Sequence, residues 1–269
     1  MDCYAVLGQP VAHSLSPRIH AEFAAQLGTP LSYDKIEVAP EDFAATLARL
    51  HTENYCGLNV TQPHKLAALA AAAEVSDAAR LAGAVNTLIR KGTGWRGDNT
   101  DGDGLIRDLK QNLKLALASK RILLLGAGGA ARGVLKPLLD EEPQELVISS
   151  RNPWTVEKIA AEFKPHGPVH PCTHIALKGF SFDLILNATS AGLSGQAPKL
   201  PPGVLTKGGA CYDLSYGKAA EPFCAWARQQ NASLVSDGLG MLVEQAATSF
   251  ELWRGKRPQT AGVLAKLRG

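Results

Sequence analysis

The chain lacks the features that mark membrane and secreted proteins. None of its 269 residues falls in an apolar run approaching the length of about 18 residues that indicates a membrane-spanning helix. Its beginning, Met1-Asp-Cys-Tyr-Ala-Val, has no basic segment followed by an apolar one. The sequence therefore predicts neither a membrane span nor a secretory signal.

Cysteine is scarce, and its placement excludes two kinds of site. The five cysteines are odd in number, widely spaced and form no C-x-x-C pair. Such spacing is typical of neither a disulfide framework nor a zinc site. We therefore predict a reducing compartment and a cytoplasmic location.

An excess of one charge is lacking as well. Lysine and arginine number 28 against 25 aspartate and glutamate residues, which leaves a dispersed net charge of +3. A nucleic-acid partner requires a strong basic patch, so none is predicted. With 20% charged and 45% hydrophobic residues, the composition is that of a globular protein. The length suits two domains of about 100–200 residues each.

The most informative stretch that is present is a glycine turn near the middle of the chain. Ile122-Leu-Leu-Leu125 predicts a buried strand, and the residues after the turn have helical character. A strand, a tight turn and a helix start present backbone N–H groups to a phosphate, which predicts a dinucleotide site. The spacing is Gly-x-Gly-Gly-Ala rather than G-x-G-x-x-G, so an ordinary strand-to-helix turn is the alternative. The predicted cofactor-binding residues are Gly126, Ala127, Gly128, Gly129 and Ala130.

The end of the next predicted strand indicates which dinucleotide binds. An NAD site usually carries there an acid for the ribose 2′-hydroxyl, but this chain has Ser150, Arg151 and Asn152. A guanidinium would instead form charge-assisted bonds to a 2′-phosphate. Arg151 therefore favours NADP, with a solvated surface arginine as the alternative.

Two earlier stretches carry candidate residues for a small ligand. Ser14 and Ser16 adjoin a predicted helix start, with Ser16 as its N-cap, and their hydroxyls serve either as turn and cap or as a carboxylate site. After a short strand, Asn59, Thr61 and Lys65 bring an amide, a hydroxyl and an ammonium together. Such a cluster suits a polyhydroxylated ligand, although a lone lysine after a turn is more often solvated surface.

Asp101 and Gln245 are two further candidate polar residues. The acidic run over residues 98–104 lacks the glutamate that a calcium loop uses as its bidentate ligand, so Asp101 is interpreted as an acid/base partner of Lys65 and no metal site is predicted. Near the end of the chain, an apolar stripe at helical spacing predicts core, and Gln245 lies off that stripe as a polar group for a ligand hydroxyl.

Four motifs in series resemble the signatures of shikimate dehydrogenases. They are Gly8-Gln-Pro-Val-Ala-His-Ser14-Leu-Ser16-Pro-Arg-Ile-His20, Asn59-Val-Thr61-Gln-Pro-His-Lys65, Gly83-Ala-Val-Asn86-Thr and Asn99-Thr-Asp101-Gly. The resemblance covers nearly the whole chain. It implies a reversible, NADP-dependent reduction of 3-dehydroshikimate to shikimate in aromatic amino-acid biosynthesis.

The resemblance also implies roles by position. Lys65 and Asp101 would form the catalytic pair, and Leu214 and Gly238 would lie near the nicotinamide. Where the family pattern resembles Asn-Arg-Thr followed by a further basic residue, this chain reads Ser150-Arg-Asn-Pro-Trp-Thr155. The implied substrate contacts are Ser14, Ser16, Thr61, Asn86, Asp101, Tyr216 and Gln245, with aromatic packing as the alternative for Tyr216.

Together these patterns predict an α/β fold with two domains. A substrate-binding domain is predicted over residues 1–103 and 238–269, with the C-terminal helices returning to it. A Rossmann-like NADP-binding domain is predicted over residues 104–237. A dehydrogenase of quinate or another cyclitol acid and a non-catalytic sensor are the alternative functions, and a homodimer is left open.

Overall fold

The computed structural model describes residues 1–269, and the chain divides into two compact units. The first unit comprises Met1–Gly104 and Leu242–Gly269, and the second comprises Leu105–Met241. The sequence-based division, at residues 103/104 and 237/238, falls one and four residues before these points. No helix is both long and apolar enough to span a membrane.

The first unit is built on a mixed six-stranded sheet. Its strands are β1 (Asp2–Gly8), β2 (Leu31–Glu37), β3 (Gly57–Val60), β4 (Glu74–Val75), β5 (Thr87–Lys91) and β6 (Gly94–Asp98). They lie in the order β2-β1-β3-β5-β6-β4. β1 runs parallel to β2 and β3, whereas β5 runs antiparallel to β3 and β6. β1 and β3, which lie inside the sheet, are its most completely buried strands.

Five helices follow strands of this unit. They are α1 (Ser16–Leu27), α2 (Phe43–Thr52), α3 (Lys65–Ala71), α4 (Asp77–Ala82) and α5 (Asp101–Arg107). Apolar side chains of α2 and α3, among them Leu47 and Ala68, pack on Leu58 and Leu88 of the sheet. α3 and α5 matter most for function, since each begins with a charged residue that the sequence singled out.

The second unit contains a six-stranded sheet in which every pair is parallel. Its strands are β7 (Arg121–Leu125), β8 (Glu145–Ser150), β9 (Val169–Thr173), β10 (Phe182–Asn187), β11 (Leu205–Asp213) and β12 (Leu234–Ser236). The order β9-β8-β7-β10-β11-β12 is the 3-2-1-4-5-6 order of a Rossmann fold. It confirms the predicted α/β fold class.

The remaining helices connect these strands or close the chain. They are α6 (Gly129–Leu139), α7 (Pro153–Phe163), α8 (Glu221–Gln229), α9 (Leu239–Arg254) and α10 (Ala261–Arg268). β7, β10 and β11 contribute Leu123, Ile185 and Cys211 to a core of the second unit, and all three are fully buried. Truncating such a leucine or isoleucine to alanine costs about 2–5 kcal/mol of stability.

Two local predictions differ from the structure. Ser16 was expected as the N-cap of α1, but α1 begins at Ser16 and Leu15 precedes it without a side-chain cap bond. The Ser14 hydroxyl accepts instead from the Ser16 backbone N at 3.3 Å. No strand was predicted where β9 lies, and Pro171 within it lacks an N–H. β9 is at the edge of its sheet, where that loss is tolerated.

Candidate active site

An ion pair between Lys65 and Asp101 forms the centre of the site in the first unit. Lys65 is the first residue of α3 and Asp101 the first residue of α5, so two helix starts bring them together. Lys65 Nζ donates a hydrogen bond to Asp101 Oδ2. The side chains are 18% and 8% exposed, respectively. The carboxylate is therefore buried while part of the ammonium stays accessible to a ligand.

Asn86 fixes the other oxygen of this carboxylate. Its Nδ2 donates to Asp101 Oδ1 at 2.8 Å and to Thr100 Oγ1 at 2.9 Å. Its Oδ1 accepts from the Thr100 backbone N at 2.9 Å. A primary amide has two donor hydrogens, so both are used and the side chain is held in one orientation. Asn86 thus determines where Asp101, and through it Lys65, can point.

Helix α9 contributes two polar side chains to the same network. Gln245 Nε2 donates to the Leu242 carbonyl at 3.0 Å, and its Oε1 accepts from Thr100 Oγ1 at 3.2 Å. One turn further along, Ser249 lies 2.8 Å from Thr87 Oγ1, hydroxyl to hydroxyl. These bonds are buried, and leaving any one of them unmade would cost about 1–3 kcal/mol. The segment that returns to the first unit is therefore held in register with its sheet.

The loops after β1 and β3 approach each other closely. A Cβ on Gly8 would lie 2.4 Å from Thr61 Cγ2, so only glycine allows this approach. The Gln9 backbone N donates to the Gln62 carbonyl at 3.0 Å. This contact sets the position of Thr61, which the sequence predicted as a substrate contact.

Ser14 and Ser16 form a pair of neighbouring hydroxyls, with Ser14 Oγ donating to Ser16 Oγ at 3.2 Å. Beside them, the Tyr33 hydroxyl donates to Asn59 Oδ1 at 2.7 Å. Burial raises the pKa of Tyr33, so this hydroxyl stays a neutral donor. Asn59 Nδ2 in turn donates to Ser249 Oγ at 3.1 Å.

Sequence reasoning missed part of this network. The motifs that carry the family resemblance include Thr87 and Thr100 but gave them no role. Ser249 follows Gln245 by four residues, and that helical spacing was the available signal. For Tyr33 the sequence offers no signal, because its partner Asn59 lies on a different strand.

In the second unit, the glycine turn lies where the strand order reverses between β7 and β10. Gly126 has φ +109°, and a Cβ there would lie 2.8 Å from the Ala188 carbonyl oxygen. The Ala188 backbone N donates to the Leu125 carbonyl at 2.8 Å, which holds the two strand ends together. The carboxyl ends of parallel strands at such a reversal are the usual ligand site of this fold.

The start of α6 is open to an anion. Gly128 precedes the helix without a side-chain cap, and no atom lies within 4 Å of where its Cβ would be. The first N–H groups of α6 therefore have no side-chain acceptor and adjoin free space, as a diphosphate requires. Ala127, Gly129 and Ala130 complete this turn.

The loops after β10, β11 and β12 are tied together by backbone and amide bonds. The Leu214 backbone N donates to the Asn187 carbonyl at 2.8 Å, and the Gly238 backbone N donates to the Ser215 carbonyl at 2.8 Å. A Cβ on Gly238 would lie 2.3 Å from the Leu214 carbonyl oxygen. The structure thus brings together Leu214 and Gly238, both predicted near the nicotinamide. Tyr216, two residues after Leu214, also lies in the second unit and is half-buried.

Asn187 also holds Asp213, the last residue of β11. Asn187 Nδ2 donates to Asp213 Oδ2 at 2.7 Å, and the Ser215 backbone N donates to Asp213 Oδ1 at 2.8 Å. Burial raises the pKa of Asp213 to about 6, and the negative charge of Asp237 adds to this rise. The hydrogen bonds act in the opposite direction and only partly offset the burial.

The turn after β8 carries one basic side chain, that of Arg151. Asn152 Oδ1 accepts from the Trp154 backbone N at 3.1 Å and caps α7, while Ser150 Oγ accepts from the Asn152 backbone N at 3.2 Å. Arg151, between them, is exposed. Ser150 and Asn152 therefore shape the turn, and Arg151 is the side chain that is free to meet a ligand phosphate.

Comparisons with protein families match most of the chain. The model described as the shikimate dehydrogenase substrate binding domain matches residues 6–88. The shikimate/quinate 5-dehydrogenase model matches residues 108–194, and the shikimate 5′-dehydrogenase C-terminal domain matches residues 238–268.

Individual relatives match over their whole length. The NADP(+) shikimate dehydrogenase of Methylococcus capsulatus is 51% identical, over 99% of this chain and 96% of the relative. An Ael1 enzyme from Pseudomonas putida has 42% identity and a TM-score of 0.92, covering 99% and 98% of the two chains. Shikimate 5-dehydrogenase of Thermus thermophilus, solved with NADP(H) and shikimate, has 34% identity and a TM-score of 0.87, covering 100% and 99%.

Proposed function

The chain belongs to the shikimate dehydrogenase family, and from that premise we propose that Lys65 and Asp101 are its catalytic pair. It catalyses the reversible, NADP-dependent reduction of 3-dehydroshikimate to shikimate, a step of aromatic amino-acid biosynthesis. The observation that carries the catalytic assignment is the ion pair, in which a partly exposed ammonium is held by a buried carboxylate.

The residues of the second unit fit the cofactor. The uncapped start of α6 and the free space at Gly128 suit a diphosphate, and the exposed guanidinium of Arg151 suits a 2′-phosphate. When bound, NADPH supplies the hydride that adds to the carbonyl carbon of the substrate. The remaining cofactor contacts assigned from sequence stay part of this proposal: Ala127, Gly129, Ala130, Ser150, Asn152, Leu214 and Gly238.

Lys65 acts on the substrate oxygen. As the carbonyl is reduced, negative charge develops on its oxygen, and the Lys65 ammonium stabilises that charge and delivers a proton. In the oxidative direction, the hydroxyl proton returns to the Lys65–Asp101 pair. Asp101 keeps the ammonium in place through Oδ2 while Asn86 holds Oδ1, so the acid is oriented before the substrate arrives.

Neighbouring polar groups would hold the substrate itself. The adjacent hydroxyls of Ser14 and Ser16 suit its carboxylate, and Thr61 and Gln245 suit its ring hydroxyls. Asn86 Nδ2 also lies 3.3 Å from Gln245 Oε1, farther than from Thr100 Oγ1 and Asp101 Oδ1, and we expect a substrate hydroxyl to replace this weaker contact. The role of Tyr216 rests on the family resemblance alone. A cytoplasmic location and a homodimer also stay predictions.

The first experiment is steady-state kinetics of Lys65→Ala with shikimate and NADP. General acid–base help is worth about 100- to 10,000-fold, so we expect kcat to fall by at least about 100-fold while KM for shikimate changes little. Lys91→Ala, which breaks an exposed ion pair with Glu74 in the same unit, is the matched control and should keep wild-type kinetics. Wild-type turnover in Lys65→Ala would refute the catalytic assignment.

The wild-type protein also distinguishes the alternative functions. We expect the highest kcat/KM for shikimate with NADP when both shikimate and quinate are tested with both NADP and NAD at 340 nm. A higher kcat/KM for quinate would make the chain a quinate enzyme. Binding of shikimate without turnover under any combination would favour a sensor.

A further inference from the structure

The carboxyl ends of β8 and β9 bring a second basic side chain next to Arg151. The two strands pair in parallel, with Ser149 opposite Cys172 and Ser150 opposite Thr173. Continuing this register by one residue places Arg151 beside His174. Because carboxyl ends of neighbouring parallel strands meet at one edge, both side chains belong to the ligand edge of the Rossmann sheet.

The fold leaves one nitrogen of the His174 imidazole without a hydrogen-bond partner. It precedes a short 3-10 turn over Ile175–Leu177, in which Leu177 supplies the buried apolar contact. Its own ring is only partly exposed, and its Nε2 is buried without a hydrogen-bond partner. A buried polar atom without a partner costs about 1–3 kcal/mol, so its retention points to a role beyond folding.

The surroundings of the ring lack an anion. Burial lowers the pKa of His174, the positive charge of Arg151 lowers it further, and the Ser149 carbonyl acts in the opposite direction. Cys172, on the same strand, has a thiol whose pKa burial raises, so it stays neutral. Glu157 and Lys158 of α7 are exposed, and no carboxylate pairs with Arg151. A cation and a neutral imidazole thus lie at the same sheet edge, where no carboxylate neutralises Arg151.

We propose that His174 is a specificity-determining residue that binds the 2′-phosphate of NADP together with Arg151. This inference rests on the proposed function, since it concerns the cofactor of that reaction. Residues 150–155 contain no basic side chain besides Arg151, so the second cation comes from the neighbouring strand end. A protonated imidazole donates from both nitrogens, so His174 adds a charge-assisted donor beside the guanidinium of Arg151.

This arrangement couples NADP binding to proton uptake. In the free protein the ring is neutral above its lowered pKa, and a phosphate dianion beside it raises that pKa. At a pH between the pKa of His174 in the free protein and its pKa in the complex, NADP binding takes up a proton. The affinity for NADP therefore falls as pH rises. The 2′-phosphate itself titrates near pH 6, so the range from about 6.5 to 8.5 isolates the contribution of His174. NAD lacks the phosphate and should show no such dependence.

Calorimetric titration of the intact protein with NADP and with NAD tests the proposal without relying on turnover. In two buffers of different ionisation enthalpy, wild-type protein should take up a fraction of a proton with NADP and none with NAD. His174→Gln should bind NADP about tenfold more weakly, as expected for one charge-assisted hydrogen bond, and NAD within about twofold of wild type. Arg151→Ala should weaken NADP binding more than His174→Gln does.

His170→Gln is the matched control, since His170 is an exposed histidine on the same strand. It should keep both affinities and the proton uptake. A wild-type affinity of His174→Gln for NADP, an equal loss for both dinucleotides, or no proton uptake by wild-type protein would overturn the proposal. Normal shikimate turnover with any of these results would leave the proposed function intact. Tight, proton-linked NADP binding without shikimate turnover would refute that function alone.

Discussion

A buried asparagine adjoins a strand in each unit, and the two are bonded in nearly the same way. Asn86 donates from Nδ2 to Asp101 at 2.8 Å, and Asn187 donates from Nδ2 to Asp213 at 2.7 Å. The Oδ1 of each accepts from the backbone N–H of a nearby threonine, at 2.9 Å and 3.1 Å respectively. Each amide therefore positions one aspartate.

The two aspartates differ in what they meet next. Asp101 forms an ion pair with Lys65, whereas no cation pairs with Asp213, and burial raises its pKa to about 6. The same amide–carboxylate pair thus serves two purposes. Beside an ammonium it can orient an acid for catalysis. The Asn187–Asp213 pair, which lacks an ammonium partner, joins the loops that follow β10 and β11. The buried charge of Asp213 then opposes folding.

The largest expected difference comes from replacing each asparagine by leucine, which has a similar shape and no polar atoms. Asn86→Leu frees Asp101 from its orientation, so kcat should fall by at least about 100-fold. It also leaves Asp101, Thr100 and Thr87 short of a partner, which should cost about 3 kcal/mol or more of stability. Steady-state kinetics and urea unfolding measure the two effects.

Asn187→Leu is the matched variant in the second unit. It removes fewer bonds, so its loss of stability should be smaller, and it should raise KM for NADP more than it lowers kcat. Equal losses of kcat in the two variants would show that the asparagines do not have separate roles. A normal kcat in Asn86→Leu would remove Asn86 from the catalytic network.

The sequence predicts a feature well when the residues that form it are neighbours in the chain, and poorly when they are far apart. The glycine turn between β7 and α6 is set by residues that follow one another, so its strand, turn and helix were all predicted. The Thr87–Ser249 contact joins residues 162 positions apart, and no spacing rule indicates such a pair. Ser16 illustrates an intermediate case. Its residue type predicted a cap, but its hydroxyl accepts from the neighbouring Ser14 hydroxyl and no side chain caps α1.

β9 was not predicted, and that omission also concealed His174. A proline is unfavourable inside a sheet, and only the position of β9 at the sheet edge makes Pro171 acceptable. Without that strand, nothing in the sequence places His174 beside Arg151. The catalytic residues, in contrast, lie in motifs that a resemblance to a family can identify directly.

The charge of Asp213 provides a second and smaller test of the comparison. Its pKa is about 6 in the folded protein, against about 3.9 when unfolded, so its contribution to stability is lost as pH rises from about 4 through 6. The loss above pH 6 amounts to about 3 kcal/mol. Asp213→Asn removes this dependence, so the difference in unfolding free energy between wild type and variant should change by that amount from pH 4 to pH 7. Parallel curves for the two proteins would contradict the assignment.

His20 in the first unit should make the smallest contribution to the pH dependence of stability. Its contribution is lost as pH falls, whereas that of Asp213 is lost as pH rises. Its ring is fully buried, stacks on Tyr33 at 4.5 Å between centroids, and has no hydrogen-bond partner at either nitrogen. Burial lowers its pKa to about 3 against a smaller, opposing influence of Asn59, whereas the unfolded chain titrates near 6.5, so stability is lost as pH falls through this window. At pH 5 the loss is about 2 kcal/mol.

His20→Phe keeps an aromatic ring in the stack and removes the titration. It should be more stable than wild type at pH 5 by up to about 2 kcal/mol and nearly equal to it at pH 8, as measured by urea unfolding. His64→Phe is the contrasting variant, because His64 Nε2 donates to the Val38 carbonyl at 2.8 Å and its loss should destabilise the protein at pH 8 as well. If His20→Phe were destabilised at pH 8 as strongly as His64→Phe, the ring of His20 would have to make a hydrogen bond that its buried position does not provide.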